Sequence, residues 1–202
     1  MIRFVTPRKG KPPRAISATD LADFYVCPRR FLYRKILGQK MTYAMARGAR
    51  AHAKKYDEHK AQADKNMELG LAVDLAMAGK ELVGREVEIF GNGLYGIVDE
   101  VRLYPENAVI IDFKSSLSER GKLQVLAYAS ALRTFGYRQI TVQITRTSDE
   151  EVLWEKSFSE DDYWFVESVK QRFYSTICAG IFPKKVDPDG CKKCPFTNLC
   201  GT

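Results

Sequence analysis

No stretch of this chain is apolar for long enough to cross a membrane, a task that takes about 20 consecutive apolar residues in a helix. The opening residues, MIRFVTPRKGKPPR, hold no apolar segment of the kind a secretory leader needs. Both absences point to a soluble protein of the cytoplasm. Internal repeats and low-complexity linkers are missing too, which excludes a solenoid or a disordered tether. Acidic excess is also lacking. The 32 Lys and Arg residues outnumber 25 Asp and Glu, leaving a net charge of +7. That balance suits nucleic acid or another anionic partner and says nothing about fold. Histidine and cysteine are scarce, with 2 and 5 in 202 residues. In a reducing compartment, few but clustered cysteines read as metal ligands before they read as disulfides. What is present is ordinary: 45% hydrophobic residues in a length that buries one full core.

The pattern along the chain predicts a basic extended arm over residues 1–16. A helix follows over 17–37, interrupted after Cys27 because Pro28 removes a backbone N–H. A long or broken helical stretch rich in Ala, Lys, Glu and Met covers 43–80. The period then changes to that of strands: REVEIF (85–90), LYGIVDEVRLY (94–104) and NAVIIDFKSS (107–116), separated by Gly91-Asn92-Gly93 and Pro105-Glu106. A helix at 121–136 ends at Gly136. A second hairpin and a final helix over 160–180 lead into a cysteine-bearing tail. The order predicts an α/β (α+β) fold with a central mixed sheet flanked by helices. It reads as a single domain over 1–202. A helical region occupies 17–80, the core 84–160, and the last helix and tail 161–202.

The hairpin at Pro105-Glu106 carries the first chemical signal. A two-residue turn there pairs Tyr104 with Asn107. Counting back along both strands puts Asp99 opposite Asp112, and Lys114 on the same face. Opposed carboxylates lie roughly 4.5–5.5 Å apart at Cβ and repel one another. With Ile97, Val101 and Ile110 as neighbours on that face, water does little to relieve the repulsion, and a divalent cation held by oxygen ligands does. The plain alternative is that both are solvated charges on an exposed strand.

Asp99 on one strand and IIDFK (110–114) on the next resemble the PD-(D/E)xK nuclease superfamily. QVLAY (124–128) resembles the Q-x-x-x-Y motif of its RecB-like branch, with Gln124 and Tyr128 on one helix face. The alternative for this pair is a solvated glutamine beside a core tyrosine. Gly48 and His52 fit the G-x-x-x-H motif of the same branch, in which the histidine completes the metal shell. His59 lies about 10 Å further along a helix axis and cannot share that ion. The resemblance implies Mn²⁺ or Mg²⁺ held by His52, Asp99, Asp112 and the backbone carbonyl of Phe113. Lys114, Gln124 and Tyr128 complete the catalytic set.

Three of the cysteines, Cys191, Cys194 and Cys200, crowd into CKKCPFTNLC near the end of the chain. A metal or iron–sulfur site usually takes four thiolates, and Cys27 and Cys178 are the candidates for the fourth. Cys27 is followed by proline, as Cys194 is, a context found around cluster ligands. Cys178 fits a buried apolar position on the last helix, where free cysteines usually go. A zinc site is the rival, but structural zinc usually takes two short-spaced pairs. DFYVCPRRFLYRK together with CKKCPFTNLC is similar to the CRISPR-associated Cas-four family, whose motifs occur in this order over nearly the whole chain. That resemblance implies an iron–sulfur cluster, 4Fe–4S or 2Fe–2S, on Cys27, Cys191, Cys194 and Cys200, tying the two ends of the chain together. It also implies an exonuclease that acts on single-stranded or frayed DNA ends in spacer acquisition, with the CRISPR integrase complex as partner. Arg29 and Arg30 are the expected phosphate contacts. Two other readings fit the same residues: a general RecB-like repair exonuclease, and a non-catalytic cluster-stapled DNA-binding scaffold.

Overall fold

The computed structural model describes residues 2–5, 15–38, 65–184, 191 and 194–200. Among them, β1 (Ile2–Val5), β2 (Ile16–Ser17), β3 (Lys65–Glu68), β4 (Leu82–Gly91), β5 (Leu94–Leu103), β6 (Asn107–Lys114), β7 (Gln139–Arg146) and β8 (Val152–Ser157) form one mixed sheet. Its order is β3-β1-β4-β5-β6-β7-β8, with β2 alongside β5. The helices are α1 (Ala18–Val26), α2 (Pro28–Leu37), α3 (Leu69–Met77), α4 (Glu119–Leu132) and α5 (Glu160–Ala179). No helix among the described residues is long and apolar enough to cross a membrane.

Strands β4, β5 and β6 run as an antiparallel meander. Its first turn uses Asn92 and Gly93, both at positive φ (51° and 69°), the conformation that matches strand twist in tight hairpins. Its second turn closes with the Tyr104 N–H donating to the Asn107 carbonyl at 2.9 Å, the expected two-residue connection. Strand β7 then returns parallel to β6, with α4 as the crossover, and β8 pairs antiparallel with β7.

Helix α4 has no free face. Eleven of its 14 residues are buried, including Gln124 and Ser130. One side lies on the sheet, where Gly121 approaches Ile144 of β7; another side receives α1. The hairpin tip is pressed on its far end. A Cβ at Gly91 stands 2.2 Å from the Ala131 carbonyl oxygen, a contact only glycine permits. Outside α4, Phe173 of α5 packs edge-on against Phe24 of α1 and Phe31 of α2, with ring centroids 5.1 and 5.2 Å apart. Phe24 and Phe31, which are buried, each contribute roughly 1.5–3 kcal/mol.

Several element boundaries follow from local chemistry. The Ser17 hydroxyl caps α1 by accepting from the Asp20 N–H at 2.9 Å. Chain direction breaks at Cys27, and Pro28 opens α2 in the first-turn position where its missing N–H costs nothing. A capping box between Ser159 and Asp162 starts α5.

Two expectations are corrected. Lys65–Glu68, inside the stretch read as helical, is a strand paired in parallel with β1. The partner strand supplies its backbone hydrogen bonds, and helix propensity is too weak to resist that. Ile2–Val5, read as part of an arm, is that partner and also meets β4 at Gly84. Gly48, His52 and His59 lie outside the described residues.

Candidate active site and cysteine staple

Pairing between β5 and β6 runs through Leu103–Ala108, Arg102–Val109, Val101–Ile110 and Glu100–Ile111. The next step brings Asp99 across from Asp112, as the turn arithmetic requires. There a side chain enters the backbone bonding: Asp99 Oδ2 accepts the Phe113 N–H at 2.7 Å. Asp112 is only 1% exposed. Its Oδ2 forms an ion pair with Lys114 Nζ and has no hydrogen bond among the described residues. Of the apolar neighbours expected on this face, Val101 and Ile110 are fully buried, but Ile97 is 51% exposed. The acidic pair therefore stands at the edge of the core, with Asp112 buried and Asp99 half-buried.

Electrostatics follow from that position. Burial first, and the Asp112 charge second, push the Asp99 carboxyl up to about 7 from 3.8, against the opposing pull of Lys114 and the Phe113 N–H. Between those values the folded protein keeps a proton on Asp99 that the unfolded chain has released. Metal-free protein should lose stability as pH rises through that window, because deprotonation favours the unfolded chain there. Chemical denaturation midpoints at pH 5 and pH 8 check this. Asp99→Asn should flatten the difference, and an unchanged slope in that variant counts against the assignment.

Gln124 and Tyr128 come to the same place from α4. Gln124 Nε2 donates to the Tyr128 hydroxyl at 2.8 Å and to Thr19 Oγ1 of α1 at 3.3 Å. Gln124 is 6% exposed and Tyr128 2%, so the glutamine is not solvated. Its Oε1 is buried without a hydrogen-bond partner among the described residues. Burial, then the charge of Asp112, hold the Tyr128 hydroxyl protonated well above the ordinary phenol range. The ring sits over Gly96, where a Cβ comes within 2.5 Å of Tyr128 Cε1. Glycine at 96 is what lets the tyrosine reach the carboxylates.

Three participants escaped the sequence reading. Glu86 of β4 lies between the pairs Arg85–Glu100 and Val87–Val98, which puts it across from Asp99 on the other side. Its backbone is left-handed, with φ 51°, and its charge adds a smaller upward push on Asp99. The turn arithmetic used for the second hairpin, applied to Asn92-Gly93, finds it. Arg120 of α4 donates to Asp23 of α1 at 2.7 Å, and Asp23 also pairs with Arg34 of α2. This buried aspartate ties the helix carrying Gln124 to the segment around Cys27. No sequence signal marks that tie, because it joins residues brought together only by packing.

None of the five cysteines is joined in a disulfide. Cys27 caps the start of α2, and the tail is laid along that same helix. Tyr33 Oη donates to the Leu199 carbonyl at 2.9 Å, and Arg29 Nη1 to the Cys200 carbonyl at 3.4 Å. Phe196 is 2% exposed and its ring lies 5.9 Å from that of Tyr33. Arg29 thus reaches the tail with one of its guanidinium nitrogens. Cys27, Cys191, Cys194 and Cys200 are half-buried, whereas Cys178, expected in the core, is exposed. Its neighbours Ile177, Ala179 and Gly180 are exposed as well. Among the described residues no three His, Cys, Asp or Glu side chains stand close enough together to hold an ion.

Two carboxylates at one margin of a mixed sheet, with a lysine beside them, suit the chemistry of phosphate esters. The family model described as PD-(D/E)XK nuclease superfamily matches residues 54–201, and the chain belongs to that superfamily of phosphodiester hydrolases. No curated protein matches the sequence. Among solved structures, the chain is similar to SSO0001, at 20% identity and TM-score 0.48 over 95% of this chain and 87% of that one. It is also similar to an alkaline exonuclease from Laribacter hongkongensis, at 12% identity and TM-score 0.44 over 82% and 89%. A third similarity is to a Eubacterium rectale protein carrying a provisional exonuclease designation, at 12% identity and TM-score 0.51 over 94% and 89%. This last is a likeness of fold alone.

Proposed function

We propose that the chain is a metal-dependent exonuclease of the RecB-like branch that trims DNA ends, with the CRISPR integrase complex as its partner in spacer acquisition. The observation carrying the reading is the convergence of Asp99, Asp112 and Lys114 on neighbouring strands, at the end of the parallel pair β6 and β7. Open α/β sheets commonly bind ligands at that end. Mn²⁺ or Mg²⁺ would be held by Asp99, Asp112, the Phe113 carbonyl and His52. The donor set fits: it is all oxygen apart from one imidazole, and its two carboxylates repel one another without a cation. When bound, the ion polarises the scissile phosphate and lowers the pKa of an attacking water.

The chain's own groups do the rest. Lys114, aligned by its ion pair with Asp112, counters negative charge that grows on the phosphate. Tyr128, kept protonated, can donate a hydrogen bond, and Gln124 holds it in position. The buried Gln124 Oε1, without a hydrogen-bond partner among the described residues, would accept from a substrate group or water. An iron–sulfur cluster would be held by Cys27, Cys191, Cys194 and Cys200, soft donors that suit iron. Docking of the tail on α2 supports that pairing, and cluster binding requires the sulfurs to draw closer.

The test is cleavage of end-labelled single-stranded DNA with Mn²⁺. Linear strands should shorten stepwise from an end, circular strands should survive, and EDTA should stop the reaction. Equal cleavage in EDTA, or none with either ion, sinks the reading. Co-purification with an integrase tests the CRISPR assignment separately.

A further inference from the structure

The register of the sheet continues beyond the acidic pair. Asp112 of β6 is paired with Ile144 of β7, and Ile144 with Trp154 of β8. Directly paired residues share a face, so Trp154 lies on the face that holds Asp112, two strand spacings or about 10 Å away. The intervening Ile144 is fully buried under Gly121, at the start of α4. The N-terminus of α4 therefore stands between the carboxylates on one flank and an indole on the other.

Trp154 is half-buried and lies on the terminal strand of the sheet. Lys122 of α4 holds its Nζ over the ring, 5.9 Å from the centroid, and also bonds Glu119 at 2.8 Å. The β7–β8 pairing shifts register here: Ile144 meets Trp154, but Thr145 meets Val152, leaving Leu153 as an extra residue. Bulges of this kind re-aim side chains, and they recur next to active sites.

An indole at an edge, a cation above it and a hydrolytic centre along the same row are the parts of a single-strand binding track. Such tracks stack bases on aromatic rings and pair phosphates with basic groups. We propose that Trp154 and Lys122 form the subsite for a nucleotide adjacent to the scissile phosphate, in single-stranded DNA. The base takes the ring face that Lys122 now covers, and the released ammonium moves to a phosphate. A duplex presents no free base face to the ring, so the subsite selects unpaired ends. The inference rests on reading Asp99, Asp112 and Lys114 as the hydrolytic centre.

The chain has two tryptophans, so a Trp164→Phe variant reports Trp154 emission alone. In EDTA, a short oligothymidylate should quench that emission, and an abasic strand of the same length should not. Trp154→Ala should weaken oligothymidylate binding by about 5- to 100-fold, the range that loss of a stacked base produces. Trp154→Phe should stay within about threefold, and abasic binding should not change. Binding seen by anisotropy without any change in Trp154 emission overturns the subsite and leaves the nuclease reading intact. Equal losses on oligothymidylate and abasic strands do the same. Absence of both DNA binding and cleavage overturns both.

Discussion

Asp99→Ala should abolish metal-dependent DNA cleavage while leaving a protein at least as stable as the original in metal-free buffer at pH 8. The two effects have one cause. Asp99 faces Asp112 across the hairpin and is pushed up to about 7 by burial and by that neighbour. Removing the carboxylate relieves a repulsion that opposes folding at pH 8. It also removes an oxygen donor needed for the ion. A bound ion contributes several kcal/mol to stabilising transition-state charge. At about 1.4 kcal/mol per factor of ten, the loss is about 10²- to 10⁴-fold. Lys114→Ala should cost about 10²- to 10³-fold, the range for losing one preorganised partner of developing charge, but it should not stabilise. It strips the ion-pair partner from Asp112, which is only 1% exposed. Single-turnover cleavage with Mn²⁺ and denaturation midpoints separate these cases. Full cleavage by either variant removes these residues from the site, whatever happens to stability.

Cys27→Ser should yield protein without iron and with both ends of the chain loosened, and Cys178→Ser should yield protein with its iron intact. Cys27 lies at the junction of α1 and α2, and the tail meets α2 through Tyr33, Arg29 and Phe196. A link between residues so far apart in sequence constrains most of the unfolded chain. Covalent links of comparable reach contribute about 2–5 kcal/mol. At about 2–4 °C per kcal/mol in a chain of this size, Tm should fall by about 5–15 °C. Iron analysis, visible absorbance and limited proteolysis of the tail measure the three consequences. Iron retained without Cys27, or lost without Cys178, refutes the ligand assignment.

The hairpin register was open to counting because the Pro105-Glu106 turn is short and side chains alternate strictly along strands. Asp99, Asp112 and Lys114 could therefore be aligned before any fold was known. The helix break at Pro28 and the stop at Gly136 were equally legible, since proline lacks a donor and Gly136 adopts φ 101°. Exposure was not legible. Ile97 and Cys178 are apolar by type, yet both are exposed, because hydrophobicity does not say which faces find a covering partner. The strand at Lys65–Glu68 was hidden for a related reason: its pairing lies with residues more than sixty positions away.

By itself, the sequence determined the alternation of elements, the opposition of two carboxylates, and the short list of thiols available to a cluster. Each depends on spacing along a few residues. Only the tertiary structure decided what surrounds them. It brought Tyr128 over Gly96, tied Arg120 to Asp23, set Glu86 across from Asp99, and aligned Trp154 in the row of Asp112. Those contacts join elements distant in the chain. They are settled by how α4 packs on the sheet and how β7 enters beside β6, which no local spacing encodes.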